Sequence, residues 1–148
     1  MTTPLAAKIA REYGTPCAVI DMDRVERNIA RMADYCRQHG IALRPHTKSH
    51  KSKLLAQKQL DAGAVGLTVA KPGEARVMSE LGAEVLIAYP SVTRASLDSI
   101  REGLAEANMI VAIDSLEAVE RLRAAQPQLD RTGGLHAAAA WSAVATGP

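Results

Sequence analysis

The chain has 148 residues, of which 47% are apolar and 23% charged, and its formal net charge is +2. That size and balance suit one globular domain with a substantial core, and near-neutrality gives no electrostatic reason to expect a nucleic acid or a membrane as partner. With no Phe, one Trp and three Tyr, the core must be built from Ala, Leu, Val, Ile and Met, and a surface that reads bases by stacking is disfavoured.

Residues 1–14 read as a short amphipathic lead-in that ends at Gly14. No long apolar run precedes Tyr13, so no secretory signal is expected there, and no stretch is long enough to span a bilayer. The run 16–22 (PCAVIDM) is β-branched and apolar, which predicts a strand. Asp23 is placed to cap the next helix, with Val25, Ile29, Met32, Ala33 and Cys36 on one face and Gly40 as its stop. Cys17 and Cys36 match no metal or redox spacing, so two reduced thiols in a cytoplasmic protein are expected.

From Ile41 the pattern repeats. Strands are predicted over 41–46, 64–70 (AVGLTVA), 84–89 (EVLIAY) and 108–113 (NMIVAI). A helical stripe follows each: Leu54, Leu55 and Leu60; then Ala75, Val77, Met78 and Leu81, with Pro72 in the first turn; then Leu97, Ile100 and Leu104; then Leu116, Val119 and Leu122, with Ser115 as N-cap and Pro127 beyond. Successive βα units imply parallel strands with right-handed crossovers, and nearly continuous apolar strands imply burial on both faces. A doubly wound sheet and a barrel both fit, although the Gly-rich phosphate fingerprint of dinucleotide folds is missing. After Arg131 there is no Asp, Glu, Lys or Arg, and 137–148 has neither strand period nor capped helix.

The run Arg44-Pro45-His46-Thr47-Lys48-Ser49-His50-Lys51 carries the chemistry. Side chains alternate along a strand, so Arg44, His46 and Lys48 share one face and Ile41, Leu43 and Pro45 the other. Pro45 cannot donate to a ladder, so a local distortion is expected there. Two readings compete: a solvated basic turn that opens a helix, or a site at the C-terminal end of a barrel strand, where active sites sit. Two histidines interleaved with two lysines favour the site. Lys48 is then an amine nucleophile suited to a Schiff base. Thr68, Lys71 and Tyr89 fall at later strand ends and are more simply turn or packing residues. Asp114 reads as a partner of the Ser115 cap, and Glu74 as a carboxylate favoured in a first helical turn.

The segments TPCAVIDMDRVERNI (15–29), RPHTKSHKS (44–52), GAVGLTVAKPGEARVM (63–78) and VLIAYPSV (85–92) resemble the start of the D-threonine aldolase and D-serine dehydratase family, pyridoxal-phosphate enzymes of the alanine-racemase-like fold. The resemblance spans most of residues 15–125, and Pro-His-x-Lys-x-His-Lys is its most specific part. It implies an α/β fold: a partial parallel (β/α) barrel of the alanine-racemase N-terminal type, with about four βα units. The domains would be 1–22, with a strand belonging to a second, β-rich domain; 23–129, the partial barrel; and 130–148, an atypical, disordered tail.

The resemblance also implies that Lys48 forms the Schiff base with pyridoxal 5'-phosphate and that His46 and His50 lie near it. Arg44 would neutralise negative charge near the cofactor ring, or else form a structural salt bridge. The implied activity is a lyase for D-β-hydroxy amino acids, of aldolase or dehydratase type; an amino-acid racemase of the same fold and a non-catalytic cofactor-binding or inactive fragment are the alternatives. The implied partners are a small D-amino acid and a second subunit. In the family a divalent metal, the phosphate-binding loops and an active-site tyrosine belong to later segments. Asp130-Arg131-Thr132-Gly133 resembles the family's Gly-x-Gly-Arg-Thr-Gly stretch without the strand expected before it. Four strands cannot close a barrel, so a truncated form is expected that is at best weakly active and either self-associates or is marginal in stability.

Overall fold

The computed structural model describes residues 4–90, 93–104, 108–125 and 135–136. The readings made for Pro127 and for most of 130–148 lie outside the described residues. The lead-in is helix α1 (Pro4–Tyr13), which buries no residue and ends at Gly14 with φ +80°. The strand expected over 16–22 does not form. Residues 17–20 run without helix or strand and are exposed, and Met22 already belongs to α2 (Met22–Gln38). Val19 and Ile20 have β-branched character but no neighbouring strand among the described residues to pair with. Asp21, not Asp23, caps α2, because its carboxylate accepts from the Arg24 N–H at 3.0 Å. Ala33 and Cys36 are buried on α2, whereas Met32 is exposed.

Residues 41–46 run alongside β1 (Leu67–Val69) as a fifth, irregular strand. The Val65 N–H donates to the Leu43 carbonyl at 2.9 Å and the Thr68 N–H to the Pro45 carbonyl at 2.8 Å. One regular bridge forms, His46 with Thr68. Pro45 has no N–H to contribute, which accounts for the interrupted ladder. The chain continues through α3 (Lys53–Asp61), β1, α4 (Pro72–Ser79), β2 (Val85–Ile87), α5 (Arg94–Leu104), β3 (Met109–Val111), α6 (Leu116–Ala125) and β4 (Leu135–His136). Within the expected tail, Leu135 and His136 thus form a strand, paired with Met109 and Ile110.

The sheet is parallel throughout, in the order β1-β2-β3-β4. Each strand lies beside its sequence neighbour and the order never reverses. A doubly wound sheet requires a reversal; a barrel wall does not. The register shows what each face does. Leu67, Val85 and Met109 align, as do Val69, Ile87 and Val111. These six pack with Ala56 of α3, Ala75 and Met78 of α4, Ile100 of α5 and Leu122 of α6 in one core. Between those levels, Thr68, Leu86 and Ile110 point to the opposite face, with His46 bridged onto Thr68. In a closed barrel that face is the interior; here Leu86 and Ile110 are only half-buried.

The helices keep most of their predicted stripes. Ser52 and Ser115 cap α3 and α6 by accepting from the Leu55 and Ala118 N–H groups. Leu54, Val77 and Leu116 are exposed where the stripes placed them inward, because Ala56, Ala75 and Ala118 take the close positions against the sheet.

Candidate active site

The site begins where residues 41–46 end. Thr47 is 1% exposed, and both its N–H (2.8 Å) and its Oγ1 (3.3 Å) donate to the Thr68 carbonyl. The chain then turns at once. The His50 and Lys51 N–H groups both donate to the Thr47 carbonyl, at 3.2 and 2.8 Å. Lys51 leaves the turn with φ +49°, a left-handed conformation that non-glycine residues seldom adopt. Ser52 then caps α3. Lys48 is thereby held at the C-terminal end of the sheet with its side chain exposed, and among the described residues its Nζ makes no hydrogen bond or ion pair.

The two histidines are fixed in the same way. The Lys48 N–H donates to His46 Nδ1 at 3.2 Å, and the Ser52 N–H to His50 Nδ1 at 3.1 Å. A ring nitrogen that accepts carries the lone pair, so this network assigns the proton of each neutral ring to Nε2. His50 Nε2 is buried and has no partner among the described residues. A buried donor left unpaired is costly and calls for an acceptor.

Burial, and then the neighbouring Lys48 ammonium, push the His46 pKa down, against a smaller opposing pull from Glu74. Glu74 sits in the first turn of α4, as the sequence indicated, but does more than favour the helix dipole. Burial opposes its charge, yet the Ala70 N–H, the Lys51 ammonium and the Lys71 N–H outweigh burial and hold its carboxyl below the usual carboxylate range. Its Oε2 accepts from the Ala70 N–H at 2.9 Å and its Oε1 lies 3.1 Å from Lys51 Nζ. The Glu74–Lys51 pair ties the 47–50 turn to the loop after β1. Both residues were visible in sequence, but the spacing did not reveal their pairing across 23 positions of chain.

Acid should weaken the fold through both groups. Each binds its proton less tightly when folded, so its stabilisation is present above the ordinary values, 6.5 for His46 and 4.5 for Glu74, and is lost as pH falls through the lower folded values. The urea midpoint is expected to decline in two stages below those pH values, with Glu74→Gln flattening the second. A midpoint constant from neutral pH into the acid range contradicts this.

Arg44 is not brought to the turn. Its guanidinium pairs with the Glu84 carboxylate and donates to the Glu84 carbonyl at 3.3 Å, just before β2 and at the N-terminal end of the sheet. This is the structural ion pair that the sequence left open as one of two roles. Gly66 lies between the two residues: a Cβ there would collide with the Arg44 guanidinium and stand 2.6 Å from the Glu84 carbonyl oxygen. Gly66→Ala should cost about 1–3 kcal/mol by overpacking, read as a fall in the urea midpoint; an unchanged midpoint would show that the pair is free to move.

Of the lesser candidates, Thr68 Oγ1 donates to the Arg44 carbonyl at 3.1 Å and helps anchor the strand. Lys71 is the N-cap position of α4, and Tyr89 and Asp114 are exposed. Among the described residues no cluster of three or more His, Cys, Asp or Glu side chains is placed to hold a metal.

Residues 20–140 match the family model described as alanine racemase, N-terminal domain. The chain belongs to the alanine racemase N-terminal domain family. Within it, 111 residues, 74% of the chain, are 35% identical to a D-threo-3-hydroxyaspartate dehydratase of Delftia sp. (strain HT23). A further relative is a 3-hydroxy-D-aspartate aldolase of Paracoccus denitrificans, 34% identical over 117 residues and 77% of the chain. Among solved structures, D-threonine aldolase from Filomicrobium marinum superposes with a TM-score of 0.74 at 36% identity, covering 78% of this chain and 32% of that one. The chain spans 29% and 30% of the length of the two curated relatives. The alanine racemase N-terminal domain is thus present here as a run of parallel βα units with Lys48 at their C-terminal end.

Proposed function

We propose that this chain carries the cofactor-holding part of a pyridoxal-phosphate-dependent lyase for D-β-hydroxy amino acids, of aldolase or dehydratase type. One observation carries the reading. Among the described residues the Lys48 amine is unpaired at the C-terminal end of a parallel sheet, between two histidines whose Nδ1 atoms accept backbone N–H groups and whose Nε2–H edges have no partner there. The donor set suits the cofactor: an amine for its aldehyde, and a buried, unpartnered N–H at His50 for one of its oxygens.

When bound, pyridoxal phosphate supplies an electron sink for charge developing at a substrate Cα. Lys48 Nζ would hold the group covalently and, once displaced, accept or return a proton near that carbon. His46 Nε2 and His50 Nε2 would orient it as donors. Arg44, occupied by Glu84, would act from the floor of the inner face by fixing the strand that carries His46. A divalent metal, a homodimeric assembly and a cytoplasmic setting belong to the same proposal. The free thiols of Cys17 and Cys36 suit that setting.

Adding pyridoxal phosphate should produce an absorbance band at the edge of the visible range. Product analysis with D-threonine, D-serine and D-3-hydroxyaspartate then separates aldolase from dehydratase, and loss of optical activity without cleavage would indicate a racemase. Absence of any band would refute the cofactor reading.

A further inference from the structure

Two primary amines flank the 47–50 turn. Lys48 and Lys51 are both exposed, so access alone does not decide which of them bonds an aldehyde. Their partners do distinguish them. Lys51 Nζ is 3.1 Å from Glu74 Oε1. That carboxylate is only 17% exposed, and its other oxygen is held by the Ala70 N–H at 2.9 Å. The anchor is therefore a fixed one on the first turn of α4. Lys48 Nζ has no such anchor among the described residues.

We propose that Glu74 is a positioning residue that selects Lys48 over Lys51 as the amine that bonds the cofactor aldehyde. The proposal rests on the reading of Lys48 given above. In that bond the lone pair of the unprotonated amine adds to the aldehyde carbon, one water leaves and a C=N bond forms, with no oxidant or reductant consumed. Glu74 keeps the Lys51 nitrogen tethered to the first turn of α4, 3.1 Å from Oε1, so it must leave that anchor before it can add to the aldehyde. The left-handed Lys51 backbone, φ +49°, is the point where the chain turns from the site towards α3, so the same ion pair holds the exit of the turn that presents Lys48.

The test is site mapping on the whole 148-residue chain. Pyridoxal phosphate is added, borohydride reduces the C=N bond to a stable amine, and peptide mass spectrometry locates the adduct. The wild type should carry it on Lys48. Glu74→Gln keeps an oxygen for the Ala70 N–H but removes the charge, and should move the Lys51-to-Lys48 ratio upward by about fivefold, the scale of one partly exposed ion pair. An unchanged ratio overturns the role of Glu74. Lys51→Gln and the double variant Lys51→Gln/Glu74→Gln provide the control. Equal rates of Lys48 labelling in the two support selection through Lys51, whereas a slower double variant means that Glu74 only shapes the turn, and overturns it. Absence of a wild-type Lys48 adduct refutes the reading of Lys48 itself and this inference with it; a Lys48 adduct with an unmoved ratio refutes Glu74 alone.

Discussion

Lys48→Ala should remove the visible-edge absorbance band and reduce borohydride-fixed cofactor to background, while leaving the fold nearly untouched. The two halves of that expectation have separate causes. The side chain is exposed and has no partner among the described residues, so its loss should change stability by less than about 0.5 kcal/mol. The hydrogen bond that fixes His46 comes from the Lys48 backbone N–H and survives truncation to alanine. The loss is therefore chemical: the amine proposed to bond the cofactor is gone, and the neighbouring Lys51 is tied to Glu74. Lys58→Ala is the matched control. Lys58 pairs with Glu26 at 2.7 Å, between α3 and α2, and removing it should leave the adduct on Lys48. Survival of the band in Lys48→Ala would place the attachment elsewhere and refute the assignment.

How far the sequence revealed this site depends on the range of each contact. Alternation put Arg44, His46 and Lys48 on one face and marked Pro45 as a break, and the one-bridge pairing with Thr68 fits both. Those are local consequences of strand geometry. Whether Arg44 served the site or the scaffold depended on Glu84, 40 positions away, and the path between them depended on Gly66 having no side chain. Such pairings follow from register, which appears only when strands align. The misplaced strand over 16–22 has the opposite origin. Its β-branched residues state a preference for pairing, and preference alone forms no strand without a neighbour. The Asp21 cap was missed for a smaller reason: two aspartates stand two residues apart, and only the helix start decides which one meets the Arg24 N–H.

Substitution on the two faces of β2 should give very different results. Ile87 is 0% exposed and packed among the helices, so Ile87→Ala should cost about 2–5 kcal/mol, a large share of the roughly 5–15 kcal/mol that holds a typical domain together. Leu86, one residue earlier, points to the opposite face of the sheet from the helix-packed core and is only half-buried. Leu86→Ala should cost only about 1 kcal/mol, because little apolar area leaves water there on folding. Urea unfolding at several protein concentrations measures both. If Leu86→Ala proves as costly as Ile87→Ala, the inner face is covered in solution. A cost that grows with concentration would then identify the cover as another copy, bringing the Thr68, Leu86 and Ile110 level of one sheet against a second surface. If the costs differ as expected and do not depend on concentration, the inner face is open to solvent. Lys48 and the two histidine edges then stand at the rim of a cleft that a small molecule can enter directly.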